Sequence, residues 1–130
     1  MKFILIAAIC MLSACATEKP EWQNYNDTDI AELTEQGKTV LVQYTADWCA
    51  TCQRQEKNIF QSEKITKLLK ENNVIWVKAD WTNYSSSIKE KIEFYGQSGV
   101  PMYIVHSASS KKNGKLLPKH ITEKDIIDNI

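Results

Sequence analysis

Two cysteines three positions apart are the residues of this chain best suited to chemistry. Cys49 and Cys52 belong to the stretch TADWCATCQ, residues 45–53, and Trp48 directly precedes the first of them. Such a CxxC pair is compatible with a structural disulfide, with half of a metal site, or with a working redox couple. The elements around the pair decide which of these chemistries it favours.

The flanking sequence predicts that the pair lies where a strand ends and a helix begins. Residues 39–45 are β-branched and apolar without strict alternation, which is typical of a strand buried on both faces, and a helix is expected from about Cys49. Unpaired amides at a helix N-terminus would lower the pKa of the Cys49 thiol from about 8.5. Cys52, about 5–6 Å away on the same helix face, would then be placed to resolve a mixed disulfide.

A metal-binding carrier is the alternative from a different class of function. Zinc needs about four ligands, and the two histidines, His106 and His120, match no common zinc-finger spacing. A copper or zinc carrier would use Cys49 and Cys52 as soft ligands, with Met102 nearby, but the chain lacks the Met-x-Cys-x-x-Cys loop of common copper chaperones. A purely structural disulfide would close a very short loop and constrain the unfolded chain little.

The rest of the pattern alternates strands and helices. The predicted elements are a helix capped by Asp27 or Thr28 and ended by Gly37, a strand over 39–45, a helix from 49 with a break at Ser62, a strand over 74–79, a helix capped by Asn83 or Ser85, strands over 101–106 and 115–117, and a helix capped by Thr122. The first crossover implies a parallel strand pair, and the turn at residues 113–114 implies an antiparallel hairpin. This order predicts an α/β fold whose mixed sheet has helices on both faces.

The first residues indicate export. Residues 3–12 form an apolar run that is shorter than the about twenty residues of a membrane-spanning helix and matches a secretory signal. Residues 12–15, Leu-Ser-Ala-Cys, resemble a bacterial lipobox, in which the cysteine is lipidated. We therefore expect a signal peptide at 1–14, a lipidated tether at 15–21 that begins with Cys15, and one domain at 22–130; a plain signal peptide without lipid is the alternative.

Composition limits the remaining classes of partner. The 130 residues carry a formal net charge of zero and are 43% hydrophobic, as expected of one soluble domain. No long run of one charge indicates a nucleic-acid partner. An exported domain lies in an oxidising compartment, where a disulfide between Cys49 and Cys52 is chemically allowed.

The run WCATC at 48–52 after a buried strand, with Val100-Pro101 opening a later strand, resembles the thioredoxin superfamily. Four blocks, TADWC at 45–49, KADWT at 78–82, SGVPMY at 98–103 and LLPKHIT at 116–122, occur in this order. They resemble, more narrowly, the C-terminal thioredoxin-like domain of the DsbD family of thiol:disulfide interchange proteins. The resemblance covers nearly all of the chain beyond the expected tether, and it implies a thioredoxin-like fold.

The resemblance also implies roles for the central residues. Cys49 would be the exposed nucleophile and Cys52 the resolving thiol. Pro101 would be a cis-proline that faces the pair, and it would leave the backbone of Val100 free to pair with an extended substrate. The sequence itself does not establish the cis form.

Three further positions are matched to the family, one of them as a departure from it. Trp48 would shield the active site, with a core position as the alternative. Glu56 matches an acidic residue of the family and would take the proton of Cys52, with an ordinary solvated surface glutamate as the alternative. Most relatives carry a buried aspartate six residues before the first cysteine, where this chain has Gln43, which cannot exchange a proton.

Together these features predict an exported, membrane-tethered thiol:disulfide oxidoreductase. By resemblance it would act as a reductase of oxidised protein thiols and take electrons from a DsbD-like or CcdA-like membrane protein, because the chain has no membrane-embedded carrier of its own. An oxidant or a disulfide isomerase is the alternative within the same fold. We expect no cofactor and no metal ion, because the Cys49–Cys52 pair would itself be the redox group.

Overall fold

A computed structural model describes residues 21–130 and contains a five-stranded mixed sheet. The strands lie in the order β1-β3-β2-β4-β5, with β1, β2 and β3 mutually parallel and β4 antiparallel to both β2 and β5. The strands are β1 (Trp22–Asn24), β2 (Val40–Thr45), β3 (Ile75–Asp80), β4 (Met102–His106) and β5 (Lys115–Leu116). The predicted parallel crossover and the predicted terminal hairpin are both confirmed.

Helices cover both faces of this sheet, as predicted. The helices are α1 (Ile30–Glu35), α2 (Ala50–Gln55), α3 (Glu63–Glu71), α4 (Ser86–Phe94) and α5 (Glu123–Ile127), and a π-helical turn, Glu56–Phe60, continues α2. Apolar residues of α1 and α4 pack on one face, and those of the π-turn, α3 and α5 pack on the other. All six residues of β2 are buried, which confirms that this strand lies between two layers.

Side-chain caps explain where most helices begin. Ser62, Ser85 and Thr122 each accept a hydrogen bond from the backbone of the first helical turn, which satisfies an amide that the helix leaves unpaired. The predicted cap of the first helix was wrong by one or two residues. A short 3-10 turn capped by Asn24 takes up residues 25–27, and Asp29 then caps α1 by accepting from the amide of Glu32.

Strand β1 is a strand that the sequence did not predict. Its three residues pair with β3, and the side chain of Trp22 packs against the rings of Phe60 and Trp76. This aromatic contact joins the edge strand to the π-helical turn, which contains Phe60.

Candidate active site

The two cysteines of the CxxC pair lie at the carboxyl end of β2, at the start of α2. Cys49 is the N-cap of the helix, and its Sγ accepts a hydrogen bond of 3.2 Å from the amide of Cys52. The pair forms a disulfide with a Cα–Cα distance of 5.2 Å, which is within the usual range for such a bond. Cys52 is fully buried, whereas Cys49 keeps 9% of its surface accessible. Cys49 is therefore the one of the two cysteines that keeps any accessible surface, but the prediction that it is exposed was wrong in this disulfide form.

A cis peptide bond lies beside the disulfide. It joins Val100 to Pro101 directly before β4. The carbonyl oxygen of Val100 is 3.9 Å from Sγ of Cys49, a contact rather than a hydrogen bond because a bonded sulfur carries no proton. Pro101 is buried, and Val100 retains 9% exposure. The segment before β4 thus forms one wall next to the accessible cysteine.

Trp48, the residue directly before Cys49, contacts the loop after β3. Its side chain is 62% exposed, so the alternative of a core position is wrong. The indole Nε1 donates a hydrogen bond of 3.2 Å to the backbone oxygen of Thr82, and its ring lies 6.2 Å from that of Trp81. The exposed indole is thus attached to the loop after β3.

Glu56 forms an ion pair that sequence reasoning missed. Its Oε1 lies 2.9 Å from Nζ of Lys78, and the two side chains are only 14% and 29% exposed. The ammonium also lies 4.4 Å from the centre of the Trp22 ring, a cation–π arrangement. The alternative of a solvated surface glutamate is therefore wrong. The signal available in the sequence was a lysine inside an otherwise apolar strand.

Gln43 is fully buried on the same side of the sheet. Within the described part of the chain, neither its Oε1 nor its Nε2 has a hydrogen-bond partner. Its neighbours in the adjacent strands are Lys78 and Tyr103. Burial, with a smaller contribution from the charge of Glu56, raises the pKa of Tyr103, so its hydroxyl remains protonated and donates to Oε1 of Gln55. The bond from Tyr103 to Gln55 therefore joins β4 to α2, whereas Gln43 makes no such link.

A family model with the description Thioredoxin-like matches residues 21–108, which include the pair, the cis bond and β1 to β4. The chain belongs to the thioredoxin-like family. Among curated proteins, it is 33% identical over 76 residues to the thiol:disulfide interchange protein DsbD of Colwellia psychrerythraea, which covers 58% of the chain and 12% of that protein. It is also 33% identical over 88 residues to DsbD of Actinobacillus pleuropneumoniae, which covers 64% and 15%. The chain thus spans a small part of the length of these relatives.

Solved structures support the same fold. A thioredoxin from Thermus thermophilus has a TM-score of 0.61 at 16% identity and covers 85% of this chain and 84% of its own. The reduced C-terminal domain of DsbD from Neisseria meningitidis has a TM-score of 0.55 at 18% identity and covers 75% and 83%. The sequence expectation of a thioredoxin-like fold with DsbD-type relatives is confirmed.

The remaining sequence predictions concern metal ions, the membrane and the N-terminal segment. Residues 21–130 contain no group of three or more His, Cys, Asp or Glu side chains arranged to hold a metal ion. In the same range, no helix has the length and apolarity needed to cross a bilayer. The expected signal peptide, Cys15 and nearly all of the expected tether lie outside the described residues.

Proposed function

We propose that this thioredoxin-like protein reduces disulfides of exported proteins while attached to a membrane. The observation that carries the proposal is the Cys49–Cys52 disulfide at the start of α2, with the accessible cysteine next to the cis Val100–Pro101 bond. A pair in this position can cycle between disulfide and dithiol without any other redox group. The similarity to DsbD proteins supports thiol:disulfide interchange as the class of reaction.

The reaction consists of two exchanges at sulfur. In the reduced protein, the Cys49 thiolate attacks one sulfur of the substrate disulfide, forms a mixed disulfide and releases the first substrate thiolate. The Cys52 thiolate then attacks Sγ of Cys49, forms the Cys49–Cys52 bond and releases the second substrate thiolate. The substrate gains two electrons and two protons, and this chain loses them.

The surroundings of the pair suit these steps. The amide of Cys52, which donates to Sγ of Cys49, would stabilise a thiolate there. The backbone of Val100 would pair with an extended substrate, and Trp48 would shield the site next to Cys49. Glu56 would accept the proton of Cys52, and Lys78 would keep the carboxylate in place through the ion pair. Gln43 would take no part in this proton transfer, because the neutral amide of a glutamine does not take up or release a proton near neutral pH.

A second dithiol must regenerate the reduced form. A membrane protein of DsbD or CcdA type would supply two electrons by the reverse exchange at Cys49. A lipid on Cys15 would keep the domain near this donor, on the outer side of a bacterial membrane. The two exchanges are reversible. An oxidant of the same fold would transfer electrons in the opposite direction, and an isomerase would run the exchanges both ways.

Trapping experiments test the order of attack. Cys52→Ala should accumulate long-lived mixed disulfides with exported proteins through Cys49, and mass spectrometry of those adducts would identify substrates and donor. Cys49→Ala is the matched control and should trap almost nothing. Equal trapping by both variants would refute the assigned roles. A metal carrier predicts another result, namely that both variants lower metal affinity alike and neither captures a partner covalently.

The reduction potential of the pair tests direction. Equilibration of the purified domain with glutathione buffers should give a value near that of thioredoxin, about −270 mV, if the protein is a reductase. A value near that of DsbA, about −120 mV, would instead support an oxidant.

A further inference from the structure

We propose that Thr82 is a positioning residue that fixes Trp48 beside the redox pair and thereby favours protein disulfides over small ones. This inference rests on the proposed reductase function. It concerns Asp80, the last residue of β3, and the loop that follows it, which contain none of the residues that exchange sulfur bonds.

The side-chain hydroxyl and the backbone oxygen of Thr82 both face the turn that leads to Cys49. Its Oγ1 accepts a hydrogen bond of 2.9 Å from the amide of Asp47, and its backbone oxygen accepts the 3.2 Å bond from Nε1 of Trp48. Thr82 is half-buried, whereas Asp47 and Trp48 are exposed. The loop therefore provides the hydrogen-bond acceptors for a turn that has little burial of its own.

Asp80 fixes the orientation of the threonine. One carboxylate oxygen, Oδ1, accepts from the amide of Thr82 at 2.9 Å and from its hydroxyl at 2.5 Å. Because the hydroxyl proton is directed to the carboxylate, a lone pair of the same oxygen is left for the amide of Asp47. A carboxylate acceptor makes these bonds stronger than neutral ones. The side chain of Thr82 is thus held as donor on one side and acceptor on the other.

The turn and the loop are joined at a further point. The amide of Trp81 donates to the oxygen of Thr45 at 2.7 Å, and the rings of Trp81 and Trp48 are 6.2 Å apart. The exposed indole of Trp48 is therefore restricted by its own hydrogen bond, by a neighbouring ring and by the attachment of the backbone before it. Without these contacts, an exposed side chain would exchange between rotamers.

A fixed indole matters only for a substrate large enough to touch it. Trp48 directly precedes Cys49 and is exposed, so we expect a protein disulfide that pairs with Val100 and reaches Sγ of Cys49 to contact its indole. An ordered surface lowers the entropy lost on docking. A small disulfide reaches the sulfur without this contact. Loss of the Thr82 hydroxyl should therefore slow the reduction of protein disulfides selectively.

Thr82→Val tests this selectivity, because it keeps the side-chain shape and removes the hydroxyl, and Thr82→Ser is the matched control that keeps it. Second-order rates would be measured for the reduced full-length protein with insulin and with 2-hydroxyethyl disulfide. The loss of a bond worth about 0.5–1.5 kcal/mol predicts a rate with insulin that is about 2- to 12-fold lower for Thr82→Val. The rate with the small disulfide should stay within about twofold, as should both rates of Thr82→Ser.

A second measurement reports on Trp48 directly. Hydrogen exchange of the Trp48 indole proton, followed by NMR, should be faster in Thr82→Val than in wild type and unchanged in Thr82→Ser. Equal slowing with both disulfides, or unchanged exchange of the indole proton, would overturn the inference. If wild type reduces neither probe, the proposed function is wrong, and the exchange of the indole proton alone decides whether Thr82 fixes Trp48. If Thr82→Val does not fold, Thr82→Ala, which also lacks the hydroxyl, should show the same selective loss of the rate with insulin.

Discussion

Replacement of Gln43 by methionine should raise the free energy of unfolding. The side chain is fully buried, and neither amide atom is paired within residues 21–130. Methionine has nearly the same length and volume, so the substitution leaves no large cavity and forces little repacking. The one property that it removes is an amide that was transferred from water without compensation.

The expected gain follows from the cost of that amide. A buried polar group without a partner costs about 1–3 kcal/mol, judged from mutations in proteins. Gln43→Met should therefore stabilise the domain by about 1–3 kcal/mol. For a domain of this size, each kcal/mol raises Tm by roughly 4 °C. Few single substitutions in a core raise the free energy of unfolding, since most lower it by about 1 kcal/mol.

Urea unfolding of the oxidised protein provides the assay, with an unchanged m-value as the sign that both variants unfold the same surface. Gln61→Met is the matched control, because Gln61 is exposed and the same chemical change there should alter stability by no more than about 0.5 kcal/mol. A Gln43→Met protein that is less stable than wild type, with the fold intact, would refute the reasoning. The amide would then have a partner in solution, such as an internal water molecule.

Three further predictions concern proton transfer, pH and attachment. Gln43→Asp should speed the release of mixed disulfides by Cys52 near neutral pH, because burial raises the pKa of a carboxyl group toward that range, and an unchanged rate in stopped-flow measurements would mean that Glu56 or water already accepts the proton. Burial and, to a lesser extent, the charge of Lys91 lower the pKa of His106, so the unfolded state binds a proton more readily and stability should fall as the pH drops below about 6.5. His106→Asn should flatten this part of the stability profile, and an equally steep fall in Tm for both proteins would contradict the assignment. Cys15→Ser should abolish labelling by palmitate, and labelling that persists would rule out lipidation at this residue.

The main strands were predictable because their signal is local. Residues 40–45 and 102–106 are apolar and β-branched or aromatic at nearly every position, and such runs favour strands buried on both faces. The caps Ser85 and Thr122 were predictable for a similar reason, since a short polar side chain before an apolar periodic segment is a helix-start pattern. By contrast, a three-residue strand such as β1 carries no periodicity, and packing of Trp22 on its neighbours decides its position.

The chemistry of the site was predictable only where residue type and spacing carry it. Cys49 and Cys52 satisfy both conditions, because three positions on a helix place two sulfurs together. The ion pair from Glu56 to Lys78 spans 22 positions, and the hydrogen bond from Asp47 to Thr82 spans 35. No local pattern reports contacts over such separations, because the parallel pairing of β2 with β3 creates them.

The pairing of β1 with β3 also determines at which end of the sheet an N-terminal tether would join the domain. Trp22 lies opposite Trp76, near the amino end of β3, whereas the loop beside Cys49 follows Asp80, four residues or about 13 Å further along that strand. Everything that precedes Trp22 is therefore joined to the end of the sheet opposite the redox pair. An anchor at Cys15 would then join the domain at the end of the strands away from Cys49. A partner in solution would have free access to the Cys49 end, whereas a donor in the same membrane would have to reach along the length of the strands.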